Sequence, residues 1–167
     1  MARALGLLLL LLIGIGVAAG ALPGYDYPSA WGTVIDVIDG NTIVVRIVGA
    51  ATEGWITGSV ETVRYLGSYA DPADATTCGA VARQLNYQMT FGRLVYLEFD
   101  QTLRDTDGTV LAYVYLDGGS YFMVNAALVA FGVCKATVVE PNTRYSSVLL
   151  GLEATALQLG LGCLIPR

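Results

Sequence analysis

The segment from Trp31 to Val48 reads WGTVIDVIDGNTIVVRIV. Apolar and β-branched residues alternate on both sides of Asp39-Gly40-Asn41, a sequence typical of a tight turn between two antiparallel strands. We therefore predict strands at Trp31–Val37 and Thr42–Val48, joined as a β-hairpin.

Three further strands and three helices are predicted downstream. Strands are expected where short β-branched segments lie between turns, and helices where apolar residues recur every three or four positions. The predicted strands are Val60–Leu66, Leu94–Phe99 and Val110–Leu116, and the predicted helices are Cys78–Phe91, Phe122–Phe131 and Tyr145–Leu159. Five strands with a helix inserted after the third are typical of an OB barrel. The predicted fold class is thus mainly β with α (α+β), a five-stranded OB-fold barrel with about three helices.

The N-terminal segment carries no charged residue from Ala4 to Leu22. Its leucine run and the Ala19-Gly20-Ala21 pattern are typical of a secretory signal peptide, whereas its length also suits an uncleaved membrane anchor. We expect residues 1–21 to be a hydrophobic signal or anchor helix, residues 22–30 an extended linker and residues 31–167 the folded domain. Whether this segment is cleaved or kept as an anchor, the domain is expected outside the cytoplasm, either secreted or anchored at the cell surface.

Charge is scarce along the chain and acidic on balance. The 167 residues include nine Lys and Arg, fourteen Asp and Glu and no His, for a formal net charge of −5. The absence of histidine excludes mechanisms that need an imidazole base or ligand. The negative charge disfavours nucleic acid as a partner, because nonspecific affinity for nucleic acid comes from Lys and Arg that neutralise phosphates.

Ten tyrosines and two tryptophans form the other notable set of residues. Trp55, Tyr65 and Tyr69 are candidate binding residues, because OB barrels often bind ligands through aromatic stacking at the barrel mouth. Interfaces are enriched in aromatic residues and depleted in Lys and Glu. The expected partner is therefore a protein or glycan surface, including copies of this chain, with membrane contact only through the N-terminal segment.

The three cysteines allow at most one intramolecular disulfide. Cys134 lies within an apolar run and is expected to be buried as a small hydrophobic residue. Cys78 and Cys163 lie beside glycines at the ends of predicted elements. We predict that these two residues form a disulfide.

Six short motifs resemble, in order, those of staphylococcal-nuclease-like (thermonuclease-like) domains. They are the turn at 39–43 (DGNTI), the strand at 63–67 (VRYLG), the loop and strand at 104–115 (RDTDGTVLAYVY), the helix at 124–129 with Gly132, the pair Pro141-Asn142 and the pair Glu153-Ala154. The resemblance runs from about Trp31 to Cys163 and implies the same OB barrel. Secreted members of the family often carry two cysteines whose positions agree with pairing of Cys78 and Cys163.

The resemblance also implies a site for calcium-dependent phosphodiester hydrolysis. In this family carboxylates hold a calcium ion, a glutamate activates water, and two arginines stabilise charge on the phosphate. The first arginine corresponds to Arg64, whereas the first calcium aspartate corresponds to Asn41 and the second arginine to Thr109. The remaining aspartate and its threonine fall on Tyr69-Ala70 or Ala70-Asp71, and the glutamate falls on Pro72 or Ala73.

We therefore expect a catalytically degenerate nuclease-like domain that has lost phosphodiesterase activity and acts as a binding or assembly module. Two alternatives stay open: a divergent calcium-dependent nuclease acting on DNA or RNA, and a self-assembling extracellular structural subunit. Calcium is the one cofactor expected, and only for a functional site. The candidate residues are Arg64 as a relic catalytic residue, and Asp39, Asn41 and Asp71, with Asp74 as a further carboxylate, as metal ligands.

Overall fold

The computed structural model describes residues 29–73, 77–116 and 122–163, so the expected leader lies outside the described residues. The strands are β1 Ser29–Asp39, β2 Thr42–Ala50, β3 Val60–Tyr65, β4 Ser68–Tyr69, β5 Leu94–Glu98, β6 Val110–Leu116, β7 Phe122–Met123 and β8 Lys135–Ala136, and the helices are α1 Thr77–Thr90, α2 Val124–Ala130 and α3 Ser146–Gln158. None of the helices in these ranges combines the length and apolar character needed to cross a membrane.

Five long strands close into a barrel in the order β3-β2-β1-β5-β6. Neighbours in this order are antiparallel, and a parallel pairing between β3 and β6, with Val63 opposite Val110, joins the two ends. Closure satisfies the backbone groups that an open sheet would leave at its edges. The predicted five-stranded OB-fold barrel with three helices is confirmed.

The strand β6 lies between two apolar clusters and therefore reads as a continuous apolar run, VLAYVYL. One set of its side chains lies in the core inside the barrel (Val110, Ala112 and Val114). The alternate set lies in a second cluster that Leu66, Met123 and Tyr145 also enter (Leu111, Tyr113 and Tyr115). A strand buried on both faces does not show the apolar–polar alternation of a half-exposed strand.

Strand pairing moves several element boundaries from their predicted positions, and two of these shifts are at the start of an element. The helix expected at Phe122–Phe131 begins at Val124, since the two residues before it form β7 and pair with the end of β6. The first strand begins at Ser29, which pairs with Glu98 of β5. Residues 29 and 30, expected in the linker, thus belong to the barrel.

The predicted Cys78–Cys163 disulfide is confirmed. It joins the first turn of α1 to the segment after α3, across a sequence separation of 85 residues and with the Cα atoms 5.4 Å apart. Cys134 is free and fully buried. Burial raises the pKa of the Cys134 thiol to about 12, so the thiol stays protonated and unreactive near neutral pH.

A buried ionic cluster connects the start of α3 to the barrel. The Glu98 carboxylate, 4% exposed, accepts hydrogen bonds from the guanidinium of Arg144 at 2.5 Å and from the hydroxyl of Tyr145 at 3.1 Å. Arg144 also lies 3.5 Å from the carboxylate of Asp100. The cluster positions the last helix, because Tyr145 directly precedes α3.

Replacing Arg144 by Leu is expected to lower the free energy of unfolding by about 2–4 kcal/mol, because it leaves the buried Glu98 carboxylate without its cation. Urea denaturation followed by circular dichroism measures the change. Arg46→Leu on the exposed surface of β2 is the matched control and should shift the unfolding free energy by less than about 0.5 kcal/mol. Equal effects of the two substitutions would contradict this role of Arg144.

Candidate functional site

The positions that correspond to the family's site come together where β3 lies between β2 and β6. Arg64 is opposite Thr42 on one side and opposite Leu111 on the other. The β1–β2 turn reaches Ser68 through Asn41, and the loop between β5 and β6 reaches Arg64 through Asp105. Barrel closure therefore assembles the site from residues that are far apart in the sequence.

Asp39 and Asn41 are used to build the hairpin turn. The Asp39 carboxylate accepts a hydrogen bond from the backbone amide of Asn41 at 2.9 Å, the pattern of an Asx turn. The side-chain amide of Asn41 donates to the Ser68 carbonyl at 2.8 Å, and Asn41 is only 7% exposed. The Asn86 side chain donates to the Asp39 carbonyl at 2.9 Å. These bonds hold the turn between β4 and α1.

Asn41 does more than lack the charge of the family's aspartate. Its NH₂ group is a hydrogen-bond donor to a buried carbonyl, and a carboxylate has no donor to offer in its place. An aspartate at position 41 would bring two oxygen acceptors together. The carbonyl of Ser68 therefore favours asparagine over aspartate at position 41 of this chain.

Arg64, the retained arginine, forms an ion pair with Asp105. Its Nη1 atom lies 2.6 Å from Oδ2 of Asp105, and the two side chains are 46% and 18% exposed. The other Asp105 oxygen, Oδ1, accepts hydrogen bonds at 3.0 Å from the backbone amides of Asp107 and Thr109. Asp105 thus organises its own loop and neutralises Arg64, and Thr109 occupies the position of the second arginine.

The segment that corresponds to the remaining calcium ligands is packed against the start of α1. Gly79 lies so close to the carbonyl oxygens of Asp71 and Pro72 that a Cβ atom there would overlap them. Tyr69 precedes this segment in β4, pairs with Lys135 and is 44% exposed. Tyr69 is therefore accessible, as a binding residue must be. Asp74 lies outside the described residues.

The described residues do not fit a calcium ion. Within 29–73, 77–116 and 122–163, no three Asp, Glu, Cys or His residues form a group that could hold a metal. The carboxylates of Asp39 and Asp105 accept hydrogen bonds from backbone amides of their own turns. Calcium takes six to eight oxygen ligands, and its affinity follows the number of charged ligands. Asp39, Asn41 and Asp71 do not supply such a set.

Tyr65 lies in the core, which corrects the expectation that it contributes to a binding surface. It is 2% exposed, and its hydroxyl donates to the side-chain oxygen of Asn86 at 2.8 Å. Burial raises the pKa of Tyr65 above its ordinary value. Strand alternation places Tyr65 on the same face as Val63 and opposite to Arg64, and this pattern is the sequence feature that identifies it as a core residue.

Trp55 packs against one end of the barrel. Its ring stacks on Phe99 with a centroid distance of 5.2 Å, and the Arg104 guanidinium lies over the ring, 5.4 Å from the centroid. Arg104 in turn donates to Glu61 at 2.9 Å. Sequence reasoning missed the Arg104–Glu61 ion pair, because these residues are 43 positions apart and meet only in the closed barrel.

The closed OB barrel thus carries an inserted helix, and two long-range hydrogen bonds, from Asn41 to Ser68 and from Asn86 to Asp39, hold its hairpin turn. Residues 62–163 match the family described as staphylococcal nuclease homologues. The match covers more than half of the chain, and the chain belongs to this family.

Two curated relatives come from Bacillus subtilis (strain 168). They are the SPbeta prophage-derived endonuclease YokF and the endonuclease YncB, each 35% identical to this chain over 120 residues. The aligned part covers 68% of this chain, but only 36% of YokF and 51% of YncB. The chain therefore spans at most about half the length of these relatives.

Asn41→Asp, which restores the family's aspartate, is expected to lower the free energy of unfolding by about 1–3 kcal/mol at neutral pH. The physical reason is the loss of a buried hydrogen bond to Ser68 and the approach of two acceptors. Urea denaturation in the presence and absence of calcium checks this. A variant that is as stable as the parent without calcium would show that the amide is not required.

Proposed function

We propose that this chain is an extracytoplasmic domain of the nuclease fold that does not hydrolyse phosphodiesters and acts as a binding or assembly module. The observation that carries the proposal is the Arg64–Asp105 ion pair, 2.6 Å long, at the position of the family's phosphate-binding arginine. The arginine that would stabilise phosphate charge serves a structural role instead.

A phosphate at this position would have to compete with a fixed carboxylate. Guanidinium groups stabilise phosphate when their N–H donors are aimed at the phosphate oxygens. Here one of the nitrogen atoms bonds an aspartate that is itself held by the backbone amides of its loop. A phosphate that replaced Asp105 would break the ion pair with Arg64, and Thr109 stands at the position of the family's second arginine in this loop.

The position of the family's glutamate offers no acid or base. Pro72 and Ala73, the two residues that fall there, have no ionisable side chain. A hydrolytic reaction needs a group within hydrogen-bond reach of the attacking water to accept its proton. This supports loss of the chemical step independently of the arginine.

The charge distribution supports a partner other than nucleic acid. The net charge is −5, and Arg64, Arg104 and Arg144 form ion pairs with carboxylates of the same chain. The six other Lys and Arg residues face fourteen Asp and Glu, so the attraction to phosphates and the gain from counterion release are weak. A protein or glycan surface, including a second copy of this chain, is the partner class we propose.

The Cys78–Cys163 disulfide supports a location outside the cytoplasm, because structural disulfides persist in oxidising compartments. The uncharged segment Ala4–Leu22 supports export by a cleaved signal peptide or retention by an anchor. We propose that the domain is secreted or held at the cell surface.

The names of the two relatives favour a second candidate function. Both are endonucleases by name, and Arg64 is present in this chain, so a divergent calcium-dependent nuclease is the alternative. It would require Arg64 to leave Asp105 when substrate binds.

Incubation of the purified chain with fluorogenic single- and double-stranded DNA and RNA separates the two candidates. We expect no turnover in millimolar calcium above the level of a preparation carrying Arg64→Ala. Arg93→Ala, an exposed arginine on the loop before β5, is the control for nonspecific charge effects. Degradation that a chelator stops, Arg64→Ala abolishes and Arg93→Ala leaves intact would overturn the proposal.

The structural role of the ion pair makes a further prediction about stability. Asp105→Ala is expected to lower the free energy of unfolding by about 1–2 kcal/mol, because it leaves two loop amides without their acceptor. Arg64→Ala is expected to lower the free energy of unfolding by less than about 1 kcal/mol. The Arg64 side chain is 46% exposed, and ion pairs at the surface contribute little to stability. Thermal denaturation of both variants measures which one is less stable. A larger loss of stability for Arg64→Ala would contradict the prediction.

A further inference from the structure

The loop between β2 and β3 presents an isoleucine to solvent. Ile56 is 73% exposed, the largest value among the large apolar side chains that the structure describes. Its neighbour Trp55 packs against the core and stacks on Phe99. Because the packed tryptophan fixes the loop, Ile56 is held outward in a defined position. A single exposed apolar residue is common on protein surfaces, so its meaning depends on what lies around it.

Further apolar side chains lie on the strands that carry this loop. Val48 near the end of β2 and Val60 at the start of β3 are 49% and 51% exposed. Trp31 of β1 is half-buried opposite Gly49 of β2, and its ring lies so close that a Cβ atom on Gly49 would overlap it. Both tryptophans of the chain are therefore at this end of the barrel. Tryptophan is enriched at membrane–water interfaces, because its ring is apolar and its N–H is a hydrogen-bond donor.

The N-terminal segment enters the barrel directly beside this loop. The amide of Ser29 donates to Oγ1 of Thr52 at 2.8 Å, and the Ser29 carbonyl accepts from the amide of Ala51 at 2.9 Å. Only six residues, 23–28, separate Ser29 from the uncharged segment Ala4–Leu22. Even when fully extended, they place Ser29 within about 25 Å of the end of that segment. An uncharged segment of this length suits a membrane anchor, and the anchor would keep the β2–β3 loop within reach of the same bilayer.

We propose that the β2–β3 loop inserts Ile56 into the interfacial region of the lipid bilayer that holds the uncharged N-terminal segment. The segment ties the domain to the membrane, and the loop fixes the orientation of the barrel on it. The sequence alone predicts membrane contact only through the N-terminal segment. The inference rests on retention of that segment as an anchor, one of the two forms proposed for this domain, and it is independent of whether the domain hydrolyses phosphodiesters.

The charges around the loop suit a lipid surface better than the acidic chain as a whole does. Residues 46–61 contain one arginine, Arg46, and two glutamates, Glu53 and Glu61. Glu61 is neutralised by its ion pair with Arg104, so that Arg46 and Glu53 balance one another. The whole chain carries a net charge of −5, which anionic headgroups repel. The loop approaches the bilayer without this acidic excess, and its contact is expected to be mainly apolar.

A second copy of the chain is a weaker candidate for the same contact. One loop and two valines offer much less than the roughly 800 Å² that each partner buries in a stable interface. A bilayer that already holds the N-terminal segment is present at a high effective concentration, so a contact of low intrinsic affinity is still populated. The position of the chain entry therefore favours the membrane.

The proposed orientation places the positions of the family's site away from the membrane. The strand β1 has 11 residues and runs from Ser29 at the chain entry to Asp39 at the hairpin turn. At about 3.3 Å per residue, the turn lies about 30 Å from Ser29 along the strand. A partner from outside the cell can then reach the hairpin-turn end of the barrel while the other end contacts the bilayer.

Fluorescent labelling of the full chain in lipid nanodiscs tests the proposal. Ile56→Cys carries an environment-sensitive fluorophore on the loop, and the matched control Ile38→Cys carries it near the far end of β1, where Ile38 is 46% exposed. Two native cysteines form the disulfide and the third is buried, so the new thiol is labelled selectively. In phosphatidylcholine nanodiscs, nitroxides on the acyl chains should quench the label at 56 at least about twofold and leave the label at 38 nearly unchanged.

A second variant tests the role of the isoleucine itself. With the label on Val60→Cys, adding Ile56→Asp should lower the quenching at least about twofold, because the inserted side chain is lost and a charge is costly in the bilayer. Circular dichroism should show an unchanged fold, since Ile56 is exposed. Quenching at 60 that is the same with and without Ile56→Asp contradicts insertion of Ile56.

Three results would overturn the proposal in distinguishable ways. An aqueous, unquenched label at 56 in a chain embedded in the nanodisc overturns insertion of the loop and leaves the proposed cell-surface location intact. A label at 56 that is shielded from water but not quenched overturns it by indicating that a second copy or the chain's own residues 22–28 cover the loop. Recovery of the exported chain only in the soluble fraction overturns it by removing the anchor.

Discussion

The parallel pairing of β3 with β6 turns an open sheet into a closed barrel. It closes the barrel and removes the two sheet edges that three antiparallel strands and a second hairpin would leave open. Because the strands run in the same direction, the pairing joins segments almost fifty residues apart. It also brings the loop that carries Asp105 beside Arg64. The closure of the barrel therefore also brings the residues of the candidate site together.

The positions that correspond to the family's nuclease site make structural hydrogen bonds and an ion pair in this chain. Asn41 donates to Ser68, Asp39 orders the hairpin turn, and Asp105 holds both its loop and Arg64. Each polar group is satisfied by a partner from the same chain, which is what a folded domain requires of buried polar atoms. These structural contacts are the physical basis of the proposal that the domain binds without catalysing.

The main elements of the fold were predictable because each has a local pattern. The hairpin around Asp39, the continuous apolar run of β6 and the glycine after each helix follow from turn chemistry and burial. The short strands β4, β7 and β8 were not predictable, since two-residue strands exist only through their pairing partners. For the site, the sequence predicts Arg64, Asn41, Asp39 and Tyr65 as candidates, and alternation along β3 places Tyr65 with Val63 in the core. Arg104 and Asp105 were recognised as a loop motif, yet their partners were not.

Residue type, spacing and local periodicity are enough to predict the OB barrel, the family resemblance and the Cys78–Cys163 pair, and they show that several charged residues of the family's site are absent. What the remaining polar residues contact is visible only in the folded chain. The structure shows that Arg64 meets Asp105, that the Asn41 amide serves as a donor, and that the β2–β3 loop lies beside the start of β1. These properties depend on distances between atoms that are far apart along the chain. Such distances are set when the barrel closes and the last helix packs against it.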